Sequence, residues 1–258
     1  MKNIAAVANV VVKELYRRKD FYVLFVLTVL ICLVMGSVRL FHDGRIVRYL
    51  KEICLLLVWI SSLIIAITTT ARQIPAERES RTLYPLLAKP LTRAQLILGK
   101  FLGCWMACGL ALLCFYLFFG ILAGSREEHW QIVNYLQAAG LHWLMLGVVV
   151  ALTLFGSLVF TAPSSNTTIC FIVVSGILLM GRHLNKVAVQ LPEPRRSLLS
   201  GFYYAIPHLE LFDVRDLIIH NWPPIAWGVC GLAALYALAY AMIFLIAACL
   251  AFQRRALN

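Results

Sequence analysis

Six long runs of apolar residues dominate the sequence and most strongly limit how the chain can fold. An α-helix needs about 20 apolar residues to cross the roughly 30 Å hydrocarbon core of a bilayer. The runs occupy residues 21–38, 53–71, 101–123, 138–162, 169–181 and 225–252. Because 62% of the 258 residues are hydrophobic and only 14% are charged, these runs exceed what one water-soluble core can bury. We therefore predict an all-α, polytopic membrane protein with about six transmembrane helices in a single domain, residues 1–258.

The fifth run, Ile169–Gly181, is shorter than the others and covers only about 20 Å as a helix. One interpretation is that the helix continues through Arg182 to Val189, with Arg182 and Lys186 extending their charged ends towards the polar surface. The other is that the run is re-entrant. We expect it to continue, and we assign the residues from 182 to 223 to an outer loop.

Charged residues lie outside the cores of the apolar runs and set the expected orientation. Cytoplasmic loops favour Lys and Arg, so the net charge of +11 is expected for a membrane protein, and we predict no nucleic-acid partner. With the N-terminus inside, the cytoplasmic segments hold 13 Lys and Arg residues and the outer loops hold 10. This distribution favours both termini in the cytoplasm, and we expect the protein in the cell inner (cytoplasmic) membrane.

The N-terminal segment has apolar residues at helical spacing, namely Ile4, Val7, Ala8, Val11 and Leu15. This pattern predicts an amphipathic helix within residues 1–19 that lies along the inner membrane surface and contacts lipid. The alternative is that the segment only orients the first transmembrane helix.

Small residues recur every four positions at the start of the third run, at Gly99, Gly103, Ala107 and Ala111. Such residues share one helix face and allow another helix to approach closely. We predict a helix-packing face here, serving either internal packing or a dimer contact.

The cytoplasmic segment between the second and third runs, residues 72–100, is the most informative part of the sequence. It begins with charged residues, continues with leucines and is interrupted by Pro90. Thr92 is placed to cap a helix that runs into the third transmembrane helix. One interpretation is a rigid lever that a soluble partner moves; the other is an ordinary basic loop that only sets topology.

This segment resembles the first cytoplasmic loop of bacterial ABC transporter permeases of the second, exporter-like type, and is similar to members associated with copper-enzyme maturation. The matching residues are Glu77, Glu79, Thr82, Leu83, Leu86, Leu87, Pro90, Arg93, Gly99 and Lys100. Arg81 stands where many members carry Gly. The resemblance implies that this is the coupling loop, in which Glu77, Glu79, Arg81, Thr82, Leu83, Leu86, Leu87, Pro90, Arg93 and Lys100 transmit ATPase movements.

The same resemblance implies the rest of the machine. A separate ATP-binding subunit, carrying ATP and Mg, docks beneath each permease, and two permease copies or paralogues form a dimer around the export pathway. The segment Ala162–Thr167 provides a tight turn and a second cytoplasmic contact. This chain has no GxxxxGK[ST] phosphate-binding loop. We therefore expect that it is not an enzyme and that it holds no cofactor.

Three other functions are considered. An intramembrane enzyme needs catalytic groups in its helices, but the runs contain no Asp or Glu, and His142 is better explained as a hydrogen-bonded packing residue. An ion-coupled secondary transporter usually has buried carboxylates, which these runs lack. A non-transporting membrane scaffold or assembly factor remains open. The eight cysteines include no CxxC pair, so we predict no metal site.

Overall fold

The computed structural model describes residues 2–16, 22–23, 25–30, 33, 44–79, 92–124, 131–160, 162–190 and 192–254. The described ranges are mostly helical and contain no strand. The helices are α1 (Lys2–Tyr16), α2 (Gly44–Ala71), α3 (Pro75–Glu79), α4 (Arg93–Gly124), α5 (Ile132–Val159), α6 (Pro163–Gln190), α7 (Arg195–Ala205), α8 (Arg215–Ile219) and α9 (Trp227–Arg254), with a 3₁₀ turn at Leu209–Phe212.

Within the described ranges, five helices are long and apolar enough to cross a membrane: α2, α4, α5, α6 and α9. The prediction of an all-α polytopic membrane protein is therefore confirmed. Half of the first predicted run, 21–38, lies outside the described residues. Its described part is helical, and the Thr28 hydroxyl lies 2.9 Å from the Ser61 hydroxyl of α2.

The helices extend beyond the apolar runs that predicted them. α2 begins nine residues before its run, and α4 begins eight residues before its run. Helical backbone hydrogen bonds also form among the polar residues that precede the apolar side chains. α6 is one continuous helix of 28 residues, so the fifth run continues, as expected, into the region assigned to the outer loop. The predicted tight turn at Ala162–Thr167 is wrong, since Pro163 already starts α6 and proline suits the first position of a helix.

Successive long helices alternate in direction, and α5 is the central one. It packs against α2, α4, α6 and α9, and its residues 148–151 are almost completely buried. We call the end of the bundle at which α2 ends and α4 begins the base. The opposite end is covered by residues 195–222, which we call the cap.

The cap consists of short helices, as expected for residues 202–221, but it is more than a surface layer. Its apolar side chains Leu209, Phe212 and Ile218 are buried. The ammonium of Lys51, near the start of α2, donates to the Ile218 carbonyl at 2.9 Å and to the Asn221 amide oxygen at 3.1 Å. The cap is therefore held to the transmembrane bundle by both apolar packing and hydrogen bonds.

Two tryptophans lock α4 to α5. The indole N–H of Trp105 donates to the Trp143 carbonyl at 2.9 Å, and that of Trp143 donates to the Trp105 carbonyl at 3.1 Å. Their rings stack with centroids 4.6 Å apart. A Cβ on Gly109 would lie 2.6 Å from Trp143 Nε1, and one on Gly147 would lie 2.9 Å from Trp105 Nε1. The two glycines therefore make room for the indoles.

The N-terminal helix α1 packs alongside α4 and runs parallel to it. A Cβ on Gly99 would lie 2.7 Å from Val7 Cβ, and one on Gly103 would lie 2.7 Å from Val11 Cβ. Since both contacts advance by four residues, the two helices stay close over more than one turn. The predicted amphipathic helix and the small-residue face of α4 thus meet each other: Val11 of α1 is buried, and Ile4, Val7 and Ala8 are partly buried. Ala111 is also buried, and Ala107 is partly buried.

We expect Gly103→Leu to separate α1 from α4, because the added side chain would enter the space that Val11 occupies. Overpacking of this kind costs about 1–3 kcal/mol. In lipid nanodiscs, the melting temperature should fall and amide hydrogen exchange in α1 should accelerate. The control is Gly140→Leu, since a Cβ on Gly140 meets nothing within 4 Å. Equal exchange in α1 for both variants would contradict this packing.

Candidate functional site

The predicted coupling residues that the structure describes lie at the base of the bundle. Glu77 and Glu79 are on α3, and Arg93 and Lys100 are on the first two turns of α4. The other predicted residues lie outside the described residues: Arg81, Thr82, Leu83, Leu86, Leu87 and Pro90. The base therefore contains the described part of the candidate site, at the two ends of the segment that joins α2 to α4.

Lys100 is the centre of the base. Its side chain is 1% exposed, and its ammonium lies 2.8 Å from a carboxylate oxygen of Glu77. The same ammonium donates to the Gln73 carbonyl at 2.9 Å and to the Gln73 amide oxygen at 3.4 Å. A buried ammonium needs such acceptors to offset its lost hydration. Lys100 therefore ties the chain leaving α2 to the side of α4.

Glu77 and Glu79 differ in what they offer to another protein. The Glu77 side chain is 26% exposed and is engaged with Lys100. Glu79, one half-turn further along α3, is exposed. From the sequence, Glu77, Glu79 and Lys100 are all predicted to be coupling residues. In the structure, Glu77 and Lys100 form an internal ion pair, and Glu79 lies at the surface.

The start of α4 is fixed by a reciprocal cap. The Thr92 hydroxyl accepts from the Gln95 N–H at 3.2 Å, and the Gln95 amide oxygen accepts from the Thr92 N–H at 3.2 Å. This arrangement is a capping box, which satisfies two otherwise unpaired backbone donors. The predicted capping role of Thr92 is confirmed.

Arg93 connects this helix start to the end of α9. Its guanidinium donates to the carbonyls of Phe252, at 2.9 Å, and Gln253, at 3.1 Å. It also lies 5.5 Å from the centroid of the Phe252 ring. Because the last carbonyls of a helix carry partial negative charge, a cation is favourable there. Arg93 thereby holds the start of α4 against the C-terminal end of α9.

Asn166 connects α6 to the same region. Its side chain is fully buried, and its amide group donates to the Thr153 carbonyl at 3.2 Å and to the Ala71 carbonyl, the last residue of α2, at 3.5 Å. A Cβ on Gly156 would clash with the Asn166 amide oxygen. The segment predicted as a second contact therefore includes an internal bridge between α2, α5 and α6.

A second polar cluster lies inside the bundle, around His142. Its Nε2 is 2.9 Å from the Ser62 hydroxyl, and its ring stacks on Trp59 with centroids 5.2 Å apart. The prediction that His142 is a hydrogen-bonded packing residue is confirmed. Arg215 of the cap also contacts this cluster. Its guanidinium forms an ion pair with Asp213 at 2.7 Å and lies 5.2 Å from the Trp59 ring centroid.

The described polar side chains at the base connect helices to one another. Polar contacts join α3 to α4, α4 to α9, and α2 to α5 and α6, as described above. A force on α3 would thus reach several long helices through short, hydrogen-bonded contacts. Sequence reasoning missed Gln73 and Asn166, whose only local signal is an amide residue next to an apolar run.

We expect a double-mutant cycle on Lys100 and Glu77 to show favourable coupling. Lys100→Met leaves the carboxylate without its cation, and Glu77→Gln leaves the ammonium without its anion. The coupling energy should be about 1–2 kcal/mol, measured by unfolding in mixed SDS micelles. Lys13→Met, at an exposed lysine of α1, is the control and should change stability by less than about 0.5 kcal/mol. Additive effects in the cycle would contradict the ion pair.

Comparison with known protein families gives a family match over almost the whole chain. The family model described as ABC-2 family transporter protein matches residues 6–257. The comparison with curated proteins finds no match.

Proposed function

Because the chain belongs to the ABC-2 family of transporter proteins, we propose that it is a permease subunit that exports its substrate with energy from ATP hydrolysed on a separate subunit. The family match supports the role of a membrane-spanning transport component. The direction of transport and the separate ATPase, with its ATP and Mg, are our proposals.

The observation that supports this function best is the attachment of α3 to α4 through Lys100. A coupling element has to be rigid, because a flexible loop would absorb the movement of the ATPase. Here a buried ammonium fixes the chain at Gln73 and at Glu77, and exposed Glu79 follows two residues later. We propose that the ATP-binding subunit docks on α3 and the residues after it, and that its two nucleotide states favour different permease conformations.

This proposal includes a location and an assembly. The base carries both the start of α1 and the end of α9, so we propose that the base and both termini face the cytoplasm, in the inner membrane. Two permease copies, identical or paralogous, would line the pathway. The narrower resemblance to permeases associated with copper-enzyme maturation is not supported by the family match and stays a prediction.

Glu79→Lys tests the docking surface without disturbing the ion pair. Reversing Glu77 as well would place a second cation beside buried Lys100, so Glu79 alone is the sharper choice. We expect about tenfold weaker association with the ATP-binding subunit, because reversing a surface charge removes favourable electrostatics at an interface. The measurement is co-purification of a subunit carrying a GxxxxGK[ST] loop, together with Mg-ATP hydrolysis by the complex in nanodiscs.

The matched control is Glu193→Lys, an exposed glutamate at the opposite end of the bundle. It should leave association and hydrolysis unchanged. If Glu79→Lys also leaves both unchanged, α3 is not the docking surface. If the ATPase co-purifies but its hydrolysis rate is independent of the permease, a scaffold explains the chain better than a transporter.

A further inference from the structure

An apolar cavity of about 440 Å³ lies between α5, α6, α9 and the cap. Its walls include Leu152 on α5, Ile177 on α6, and Phe244 on α9, and Tyr203 and His208 of the cap close its outer end. This volume is within the range of sites that bind small molecules. A Cβ on Gly176, which also lines the cavity, meets nothing within 4 Å, so the space beside α6 is open.

The side of the cavity faces the surroundings of the bundle. α6 and α9 both pack on α5, but among the described residues they make few close contacts with each other. Ile172 and Met180, which line the cavity on α6, remain largely exposed. In a membrane this surface faces lipid, so an apolar molecule dissolved in the bilayer has lateral access to the cavity.

A largely buried carboxylate, that of Glu210, lies beside the cavity, next to Gly181 and His208 of its lining. The Glu210 side chain is only 10% exposed, and one of its oxygens is 3.4 Å from Nδ1 of His208. The other oxygen, Oε2, is buried without a hydrogen-bond partner among the described residues. A Cβ on Gly181 would lie 2.6 Å from both oxygens, so glycine lets the carboxylate lie directly against the cavity wall.

We propose that this cavity binds an amphipathic organic cation, with its apolar body between α6 and α9 and its ammonium group at Glu210. Burying a carboxylate is unfavourable unless it is paired and hydrogen-bonded, and an ammonium supplies both the charge and the missing donor. Tyr203, which also lines the cavity, adds an aromatic face that favours a cation. That this ligand is the exported substrate rests on the proposed function; that it binds does not.

The test is equilibrium binding of tritiated dodecylamine to the full chain in phosphatidylcholine nanodiscs, without any ATPase. We expect saturable binding above empty nanodiscs. Glu210→Gln, which keeps the size and removes the charge, should weaken binding about tenfold or more, the usual effect of losing a charge-assisted hydrogen bond. Dodecanoate, with the same chain length and the opposite charge, should not compete.

Two further variants separate binding from folding. Gly176→Leu places a side chain in the cavity without touching Glu210 and should also weaken binding about tenfold, since it occupies open space. Glu193→Gln, the same chemical change at an exposed position, should bind like the wild type. Equal binding by wild type and Glu210→Gln, or equal competition by dodecanoate, would overturn the proposal, as would an absence of saturable binding.

The outcome is distinguishable from failure of the proposed function. Binding that depends on Glu210 in a chain that recruits no ATPase would establish the site and reject the transporter. Recruitment of an ATPase with no binding of dodecylamine would reject the site and keep the transporter. If both hold, dodecylamine should accelerate Mg-ATP hydrolysis by the wild-type complex and not by the Glu210→Gln complex.

Discussion

The buried ammonium of Lys100 is the interaction on which the base of the bundle depends. An amine removed from water must find acceptors close by, and the acceptors here are a backbone carbonyl of Gln73 and the carboxylate of Glu77. Both come from the chain that has just left α2. Satisfying one charge therefore also fixes the path between α2 and α4. The position of α3 follows from electrostatics in a low-dielectric setting, and the proposed ATPase contact inherits that position.

Features encoded within one or two helical turns are the ones that the sequence predicts well. Thr92 caps α4 as expected, since Thr92 and Gln95 are close in sequence and need no distant partner. The apolar face of α1 and the glycines of α4 are each visible as local spacing. The apolar runs predict the membrane-spanning helices. The runs are shorter than the helices, because helices such as α2 also include the polar residues next to the run, where backbone hydrogen bonding continues.

Side-chain contacts between distant segments of the chain are the features that could not be predicted from the sequence. Nothing local indicates that Glu77 faces Lys100, or that Asn166 reaches the end of α2. Such contacts depend on how whole helices pack, which residue types alone do not determine. The same holds at the cap, where Glu210 meets Gly181 through folding of the chain between them. The coupling roles of all the predicted residues stay predictions, and those between 80 and 91 also lie outside the described residues.

The paired indoles between α4 and α5 have a consequence for how this protein can change shape. Sliding one helix past the other by a single residue would break both indole hydrogen bonds and drive each ring against backbone that is not glycine. α4 and α5 should therefore travel as one rigid body through any working cycle. A change of shape would then fall on other helix junctions, such as that between α6 and α9, which make few contacts with each other among the described residues.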